Sequence, residues 1–260
     1  NPKLAVFVKY EIWPNYLAAL KKGNVPTLLI SAFFTKQQIY FKWYGGLMRN
    51  ALKTFDRFYV QDENSKVLLN SIGFSNCDVT GDTRFDRVSK ILNRDNHLEF
   101  MEIFNTAPHC FIAGSTWPTD EKMLVDYINS TDTDMKYVIA PHNIKKEHST
   151  RLKESISKTS LLYSEIEGQN LSDVQVLIID TIGILTKIYS YATIAYVGGG
   201  FATGLHNTLE PAVFGIPVVI GPNYKGFKEA EDLVTLGGIR SIGNQESLTK
   251  TINELSLNKD

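Results

Sequence analysis

Cysteine is scarce in this chain of 260 residues, which has only Cys77 and Cys110. Two thiols cannot make a disulfide framework, and their separation suits no metal site. Both are expected as buried core thiols of a reduced compartment. Long hydrophobic runs are missing as well. Nothing approaches the roughly 20 apolar residues that span a bilayer, and runs such as 176–179 and 218–220 have the length of strands. The stretch is therefore expected to be soluble. Neither sign of charge dominates: 27 Lys and Arg stand against 28 Asp and Glu, a net charge of −1. No whole-chain field gathers nucleic acid. The five histidines, His97, His109, His142, His148 and His206, form no HxxxH or HxH pattern, and no DxD pair follows a strand. No metal site is expected. Internal repeats and low-complexity tracts are also lacking.

What is present is ordinary globular material, 43% hydrophobic and 11% aromatic, which excludes disorder. The chain opens at Asn1-Pro2 and enters an apolar run by residue 4, with no basic-then-apolar leader. The expectation is a piece cut from a longer protein.

Short β-branched runs alternate with helical stretches, the pattern of a parallel α/β sheet. In the first part the expected strands are 4–8, 27–31, 58–61 and 77–80. A helix follows Pro14 over 15–22 and stops at Gly23. Asp62 caps a second helix that runs to Gly73. After a polar helical stretch over 85–105, strands are expected at 110–113, 137–140, 176–179, 194–197, 217–220 and 239–242. Helices are expected between them, including 120–129, 182–191, 207–214, 228–236 and 245–255. The expectation is two Rossmann-like domains, 1–90, which is incomplete, and 91–260. An incomplete sheet leaves an unpaired edge, which gives room for a homo-oligomer.

The strongest local signal is Tyr196-Val197-Gly198-Gly199-Gly200-Phe201, followed by Gly204-Leu205-His206-Asn207-Thr208-Leu209-Glu210-Pro211-Ala212. A strand ends in three glycines, whose amides can approach a ligand, and a helix opens near Asn207 where a phosphate can sit. Glu210, in the first turn, can accept two ribose hydroxyls. A tight turn with a capping acid would leave the same trace. A dinucleotide site fits poorly: the third glycine, Gly204, has the wrong spacing, and the next strand ends in Gly221-Pro222 rather than an acid.

Three more loops follow strand ends: Gly114-Ser115-Thr116-Trp117-Pro118, Ala140-Pro141-His142-Asn143 and Asp180-Thr181-Ile182-Gly183. Open α/β sheets bind ligands at that edge, and the hydroxyls of Ser115 and Thr116 and the imidazole of His142 suit a phosphate. A structural role for His142 stands beside that reading. In the first part, Glu11 follows strand 4–8 and faces the cleft that two such domains would form. Trp13-Pro14 reads as a packing unit, and Arg84 with Asp86 as a structural ion pair.

Taken in order, Glu11-Ile12-Trp13-Pro14-Asn15, Gly81-Asp82-Thr83-Arg84-Phe85-Asp86, Gly114-Ser115-Thr116 and Gly198-Gly199-Gly200 through Glu210-Pro211-Ala212 resemble the 3-deoxy-D-manno-octulosonic acid (Kdo) transferase family. The resemblance implies a GT-B-like glycosyltransferase that moves Kdo from CMP-Kdo to a lipid A precursor in lipopolysaccharide biosynthesis. It implies inversion, no cofactor, no metal, and a place at the cytoplasmic face of the inner membrane through an N-terminal anchor. It puts Glu11 near the reacting sugar, Ser115 and Thr116 near the CMP phosphate, Gly198, Gly199, Gly200 and Asn207 near phosphate or sugar, and Glu210 on the ribose. The family's general base and anchor lie upstream of Asn1, so the 260 residues alone are expected to be inactive.

Three positions depart from the family pattern. Many members carry an acid-threonine pair at Lys9-Tyr10, a histidine at Trp117 and an arginine-histidine pair at Pro141-His142. Lys145, Lys146 and Lys225 are the candidates to replace the missing arginine. Two other readings stay open: a GT-B enzyme acting on a UDP-sugar, as transferase or 2-epimerase, and a non-catalytic nucleotide-binding module.

Overall fold

A computed structural model describes residues 2–202 and 204–257. The chain divides into two compact units, Asn1–Arg87 and Val88–Asp260.

In the first unit the elements run β1 (Ala5–Val8), α1 (Pro14–Lys22), β2 (Thr27–Ala32), α2 (Gly46–Leu52), β3 (Arg57–Val60), α3 (Glu63–Ser71) and β4 (Cys77–Val79). Pro14 opens α1, where its missing N–H costs nothing. The Asp62 side chain accepts the Ser65 amide at 2.7 Å and caps α3. The sheet is parallel and follows chain order, β1-β2-β3-β4. Leu17, Leu29, Phe34, Leu52, Phe58 and Leu69 fill its core. Helix α2 has no counterpart among the expected elements. It is one short amphipathic turn pair closed by Ala51 and Leu52 against the core, too short for its period to stand out.

Helix α4 (Thr83–Leu92) carries the divide between the units, and α5 (Glu99–Phe104) follows. The second unit continues through β5 (His109–Thr116), α6 (Pro118–Ser130), β6 (Met135–Pro141), α7 (Lys146–Ser155), β7 (Ser160–Leu162), β8 (Val176–Ile178), α8 (Leu185–Ile188), β9 (Ile194–Val197), α9 (Leu209–Ala212), β10 (Val218–Ile220), α10 (Lys228–Thr235), β11 (Ile239–Ser241) and α11 (Gln245–Leu257). Its seven strands are parallel in the order β11-β10-β9-β5-β6-β8-β7. Side chains alternate between two cores, as strand geometry requires. Cys110, Ile112, Val138, Ala195 and Val218 point to one, and Phe111, Ala113, Tyr137, Ile194 and Val219 to the other.

Three expectations are corrected here. The sheet has one strand more than expected, because the edge strand β7 is only three residues long and shows no alternation. Helix α7, between β6 and β7, has no bounds in the expectation. Six of its ten residues are charged or histidine (Lys146, Glu147, His148, Arg151, Lys153, Glu154), and only Ser149 and Leu152 are buried, so it lacks an apolar stripe. The helix expected over 207–214 shrinks to Leu209–Ala212. Pro211 has no N–H to extend it, and Gly215 at φ 73° ends the turn. Both cysteines are free and buried. Burial pushes the Cys77 thiol up to about 11 and the Cys110 thiol up to about 12, so neither is a nucleophile at neutral pH.

Candidate functional site

Strand order decides where a ligand can enter the second unit. From β5 the chain moves to β6 on one side, and later returns to β9 on the other. Connections leaving the two sides diverge, which opens a crevice at the carboxyl ends of β5 and β9. Gly114, Ser115 and Thr116 lie at the first of these ends, and Gly198, Gly199 and Gly200 leave the second. The Gly198 amide donates to the Gly114 carbonyl at 2.9 Å, so the two exits are stitched together.

Ser115 is a bulge residue: the β5–β6 register shifts between Gly114 and Thr116, and Ser115 sits at φ 54°. A left-handed serine is held there by its surroundings at a cost of about 1–3 kcal/mol. Its neighbour Thr116 is turned inward, 1% exposed, and its hydroxyl donates to Glu121 Oε1 at 3.2 Å. That oxygen also meets His148 Nε2 at 3.0 Å. Thr116 therefore ties β5 to α6 and α7, while Ser115 keeps partial exposure.

Gly198 and Gly199 pack closely and spend their amides within the fold. A Cβ on Gly198 would stand 2.3 Å from the Ser115 carbonyl oxygen, and one on Gly199, at φ 92°, would stand 2.1 Å from the Gly204 oxygen. The Gly199 amide already donates to Asp120 Oδ2 at 3.0 Å. Asp120 is wholly buried, and the same carboxylate accepts the Trp117 amide at 2.8 Å and the Tyr196 hydroxyl at 2.6 Å. Burial and the Asp120 charge push the Tyr196 phenol far above its ordinary value, so it stays a donor. One acid thus fastens the end of β5, the body of β9 and the glycine turn. Sequence reading takes Asp120 only as the start of a helix. The available signal is an acid in the first turn after Trp117-Pro118, where it can cap the helix and still reach a neighbouring strand.

Beyond the turn, Asn207 and Glu210 hold each other. The Asn207 amide donates to Glu210 Oε1 at 3.1 Å, and the Thr186 hydroxyl donates to Glu210 Oε2 at 3.1 Å. A four-residue helix supplies little dipole, so Glu210 is fixed by side chains rather than by a helix start. Both stay half-buried. The hydroxyl of the adjacent Thr208, 1% exposed, has no partner among the described residues.

His142, exposed after β6, stacks on Trp117 with ring centres 4.7 Å apart and planes 12° apart. It also lies 4.9 Å from the His206 ring, and Trp117 Nε1 donates to His206 Nε2 at 3.0 Å. Burial and the neighbouring His142 hold His206 below the usual histidine value, against the pull of Asp120. The crevice thus gathers Ser115, His142, the glycine turn, Asn207 and Glu210 at one edge. The Asp180 loop is engaged elsewhere, its carboxylate taking the Ser164 amide and hydroxyl. Lys145, Lys146 and Lys225 are exposed.

In the first unit, Glu11 is exposed and accepts the Trp13 indole N–H at 2.6 Å. Arg84 grips Asp82 at 2.6 Å, with Lys9 at 3.8 Å from the same oxygen. Asp82 is thus an ion-pair partner of Arg84, a role expected of Asp86. Among the described residues no group of three His, Cys, Asp or Glu side chains comes together in a metal-binding arrangement, and no helix is long and apolar enough to cross a membrane.

Known proteins resemble this chain in sequence and in fold. Residues 1–87 match a family model described as 3-deoxy-D-manno-octulosonic-acid transferase (kdotransferase). The 3-deoxy-D-manno-octulosonic acid transferase of Chlamydophila psittaci is 28% identical over 249 residues, covering 91% of this chain and 56% of that protein. The chain spans little more than half the length of the curated relatives it matches. Among solved structures, the C-terminal CMP-Kdo binding domain of WaaA from Acinetobacter baumannii aligns with 66% of this chain and 89% of its own, at TM-score 0.51 and 19% identity. UDP-GlcNAc 2-epimerase from Neisseria meningitidis aligns with 98% of this chain and 68% of its own, at TM-score 0.64 and 14% identity. These two likenesses establish a GT-B-like fold of Rossmann-like units. By sequence, the chain is similar to 3-deoxy-D-manno-octulosonic acid transferases, to the family model over residues 1–87 and to the Chlamydophila psittaci enzyme over 91% of its length.

Proposed function

We propose that this chain is the donor-binding part of an inverting, metal-independent glycosyltransferase that moves Kdo from CMP-Kdo to a lipid A precursor. The observation that carries the reading is the sequence relationship to Kdo transferases, running through the residues that build the β5/β9 crevice. In this reading CMP lies across that crevice, with Ser115 toward the phosphate, the glycine turn closing over it, and Glu210 toward the ribose. An acceptor hydroxyl attacks the anomeric carbon as the bond to the phosphate oxygen breaks. CMP leaves with that oxygen, and the hydroxyl proton passes to a base. Glu11 is assigned to the sugar side. In this reading the transfer takes place at the cytoplasmic face of the inner membrane. The 260 residues are expected to bind CMP.

Calorimetric titration with CMP, with and without EDTA, tests this. Equal binding in both is the expected result. Affinity that requires magnesium overturns the metal-independent reading, and tighter binding of UDP than of CMP returns a UDP-sugar donor.

A further inference from the structure

Trp117 stands where the family pattern has a histidine, and its indole N–H has found a specific acceptor. Trp117 Nε1 lies 3.0 Å from His206 Nε2. An indole nitrogen can only donate, so Nε2 must carry a lone pair and the proton of the neutral ring sits on Nδ1. The two rings are close to coplanar, 22° apart, and His142 lies over both, 4.7 Å from one centre and 4.9 Å from the other. Gly199 closes in beside His206, since a Cβ there would come within 3.1 Å of Cδ2. The backbone is pinned too: the His206 amide donates to the Gly198 carbonyl at 3.2 Å. Ring, tautomer and backbone are all held, while Nδ1 meets no acceptor among the described residues.

We propose that Trp117 is a positioning residue that fixes His206 as a neutral Nδ1–H donor, which the glycine turn presents to an oxygen of the bound nucleotide. The last clause rests on the donor-site reading above; the tautomer does not. Protonating Nε2 would set two N–H groups against each other, so the indole also disfavours the charged ring. This agrees with the lowered His206 value, which burial and His142 produce against the opposing Asp120 charge.

Nitrogen-15 NMR of the histidine rings, with a trans-hydrogen-bond coupling experiment to the indole nitrogen, tests the assignment without any variant. The expected result is Nδ1 protonated, Nε2 bare and coupled to Trp117 Nε1 at neutral pH. Nε2–H, or a charged ring, overturns the proposal. In Trp117→Phe, which keeps a ring for His142 to stack on, the Nδ1–H preference is expected to relax and the His206 pKa to rise. CMP affinity is expected to fall about three- to tenfold, the loss of roughly one hydrogen bond. A purely packing role for Trp117 predicts no change in tautomer or titration, and that result also overturns the proposal. If wild type shows the tautomer but no CMP binding, the nucleotide reading fails and the tautomer lock stands.

Discussion

The two sheets end in polar residues at their carboxyl edges, and the two edges have different fates. In the first unit the described strands follow chain order, β1-β2-β3-β4, so the connections among them do not diverge. There Lys9 at φ 57° and Ser31 at φ 52° turn sharply, and their side chains converge on Asp82. Ser31 donates to it at 3.3 Å, Arg84 at 2.7 Å, and Lys9 stands 3.8 Å away. In the second unit the order reverses beside β5. Asp120 is the counterpart of Asp82, but it is sealed below the surface and takes two backbone amides and a phenol. The first acid ties polar side chains to one another. The second supports a turn above it and leaves Ser115, His142 and His206 at least partly exposed. Where the sheet is split, the buried acid becomes scaffolding for a crevice.

The largest effect that would break this comparison is expected from Asp120→Ala. It strands the Tyr196 hydroxyl and two amides in a dry interior, at a cost of about 3 kcal/mol or more. Urea denaturation reads this directly, and a loss under about 1 kcal/mol would remove Asp120 from its central role. Next comes Gly199→Ala, which adds a Cβ 2.1 Å from a carbonyl oxygen at a left-handed position. A loss of about 2–3 kcal/mol is expected, with weaker CMP binding by calorimetry.

Asp82→Asn is expected to cost less, about 1–2 kcal/mol, because its partners keep access to water. Burial pushes the Asp82 carboxyl up, but the Arg84 bonds and the Lys9 charge outweigh it and hold it below the usual range. Its contribution is therefore complete above the unfolded carboxylate value and disappears as pH falls through the lower folded value. Melting temperature followed from neutral to acid pH should drop more in wild type than in Asp82→Asn. Parallel curves would show that the cluster does not titrate as described.

Glu210→Gln has the smallest effect on folding, under about 1 kcal/mol, since the amide oxygen can still accept one of the two bonds. If Glu210 holds the ribose, CMP affinity falls about tenfold. Unchanged affinity with lowered melting would leave Glu210 as a clamp on Thr186 and Asn207.

Much of the architecture was legible because it depends on local pattern. Runs such as Ile194-Ala195-Tyr196-Val197, short, apolar and ended by glycine, read as strands buried on both faces, and Asp62 and Pro14 announce helix starts through the groups they can or cannot satisfy. Helix α7 and strand β7 escaped because a charged helix and a three-residue edge strand bury too little to leave a period. At the site, the serine, glycines, Asn207 and Glu210 were legible as residue types at strand ends. Their partners were not. Nothing local says that the amides of Gly198 and Gly199 are spent on Gly114 and Asp120, or that Thr116 turns inward to Glu121.

The sequence by itself determined the alternation of strands and helices, the parallel class of sheet, the two-part organisation and the resemblance to Kdo transferases, because each is written in near-neighbour spacing or in motif order. Tertiary structure alone decided which strands became neighbours, and with that where the crevice opened. It brought Asp120 to Gly199, 79 residues away in sequence, and Trp117 to His206, 89 residues away. Such contacts are settled by the packing of whole layers, and no local preference in the chain encodes them.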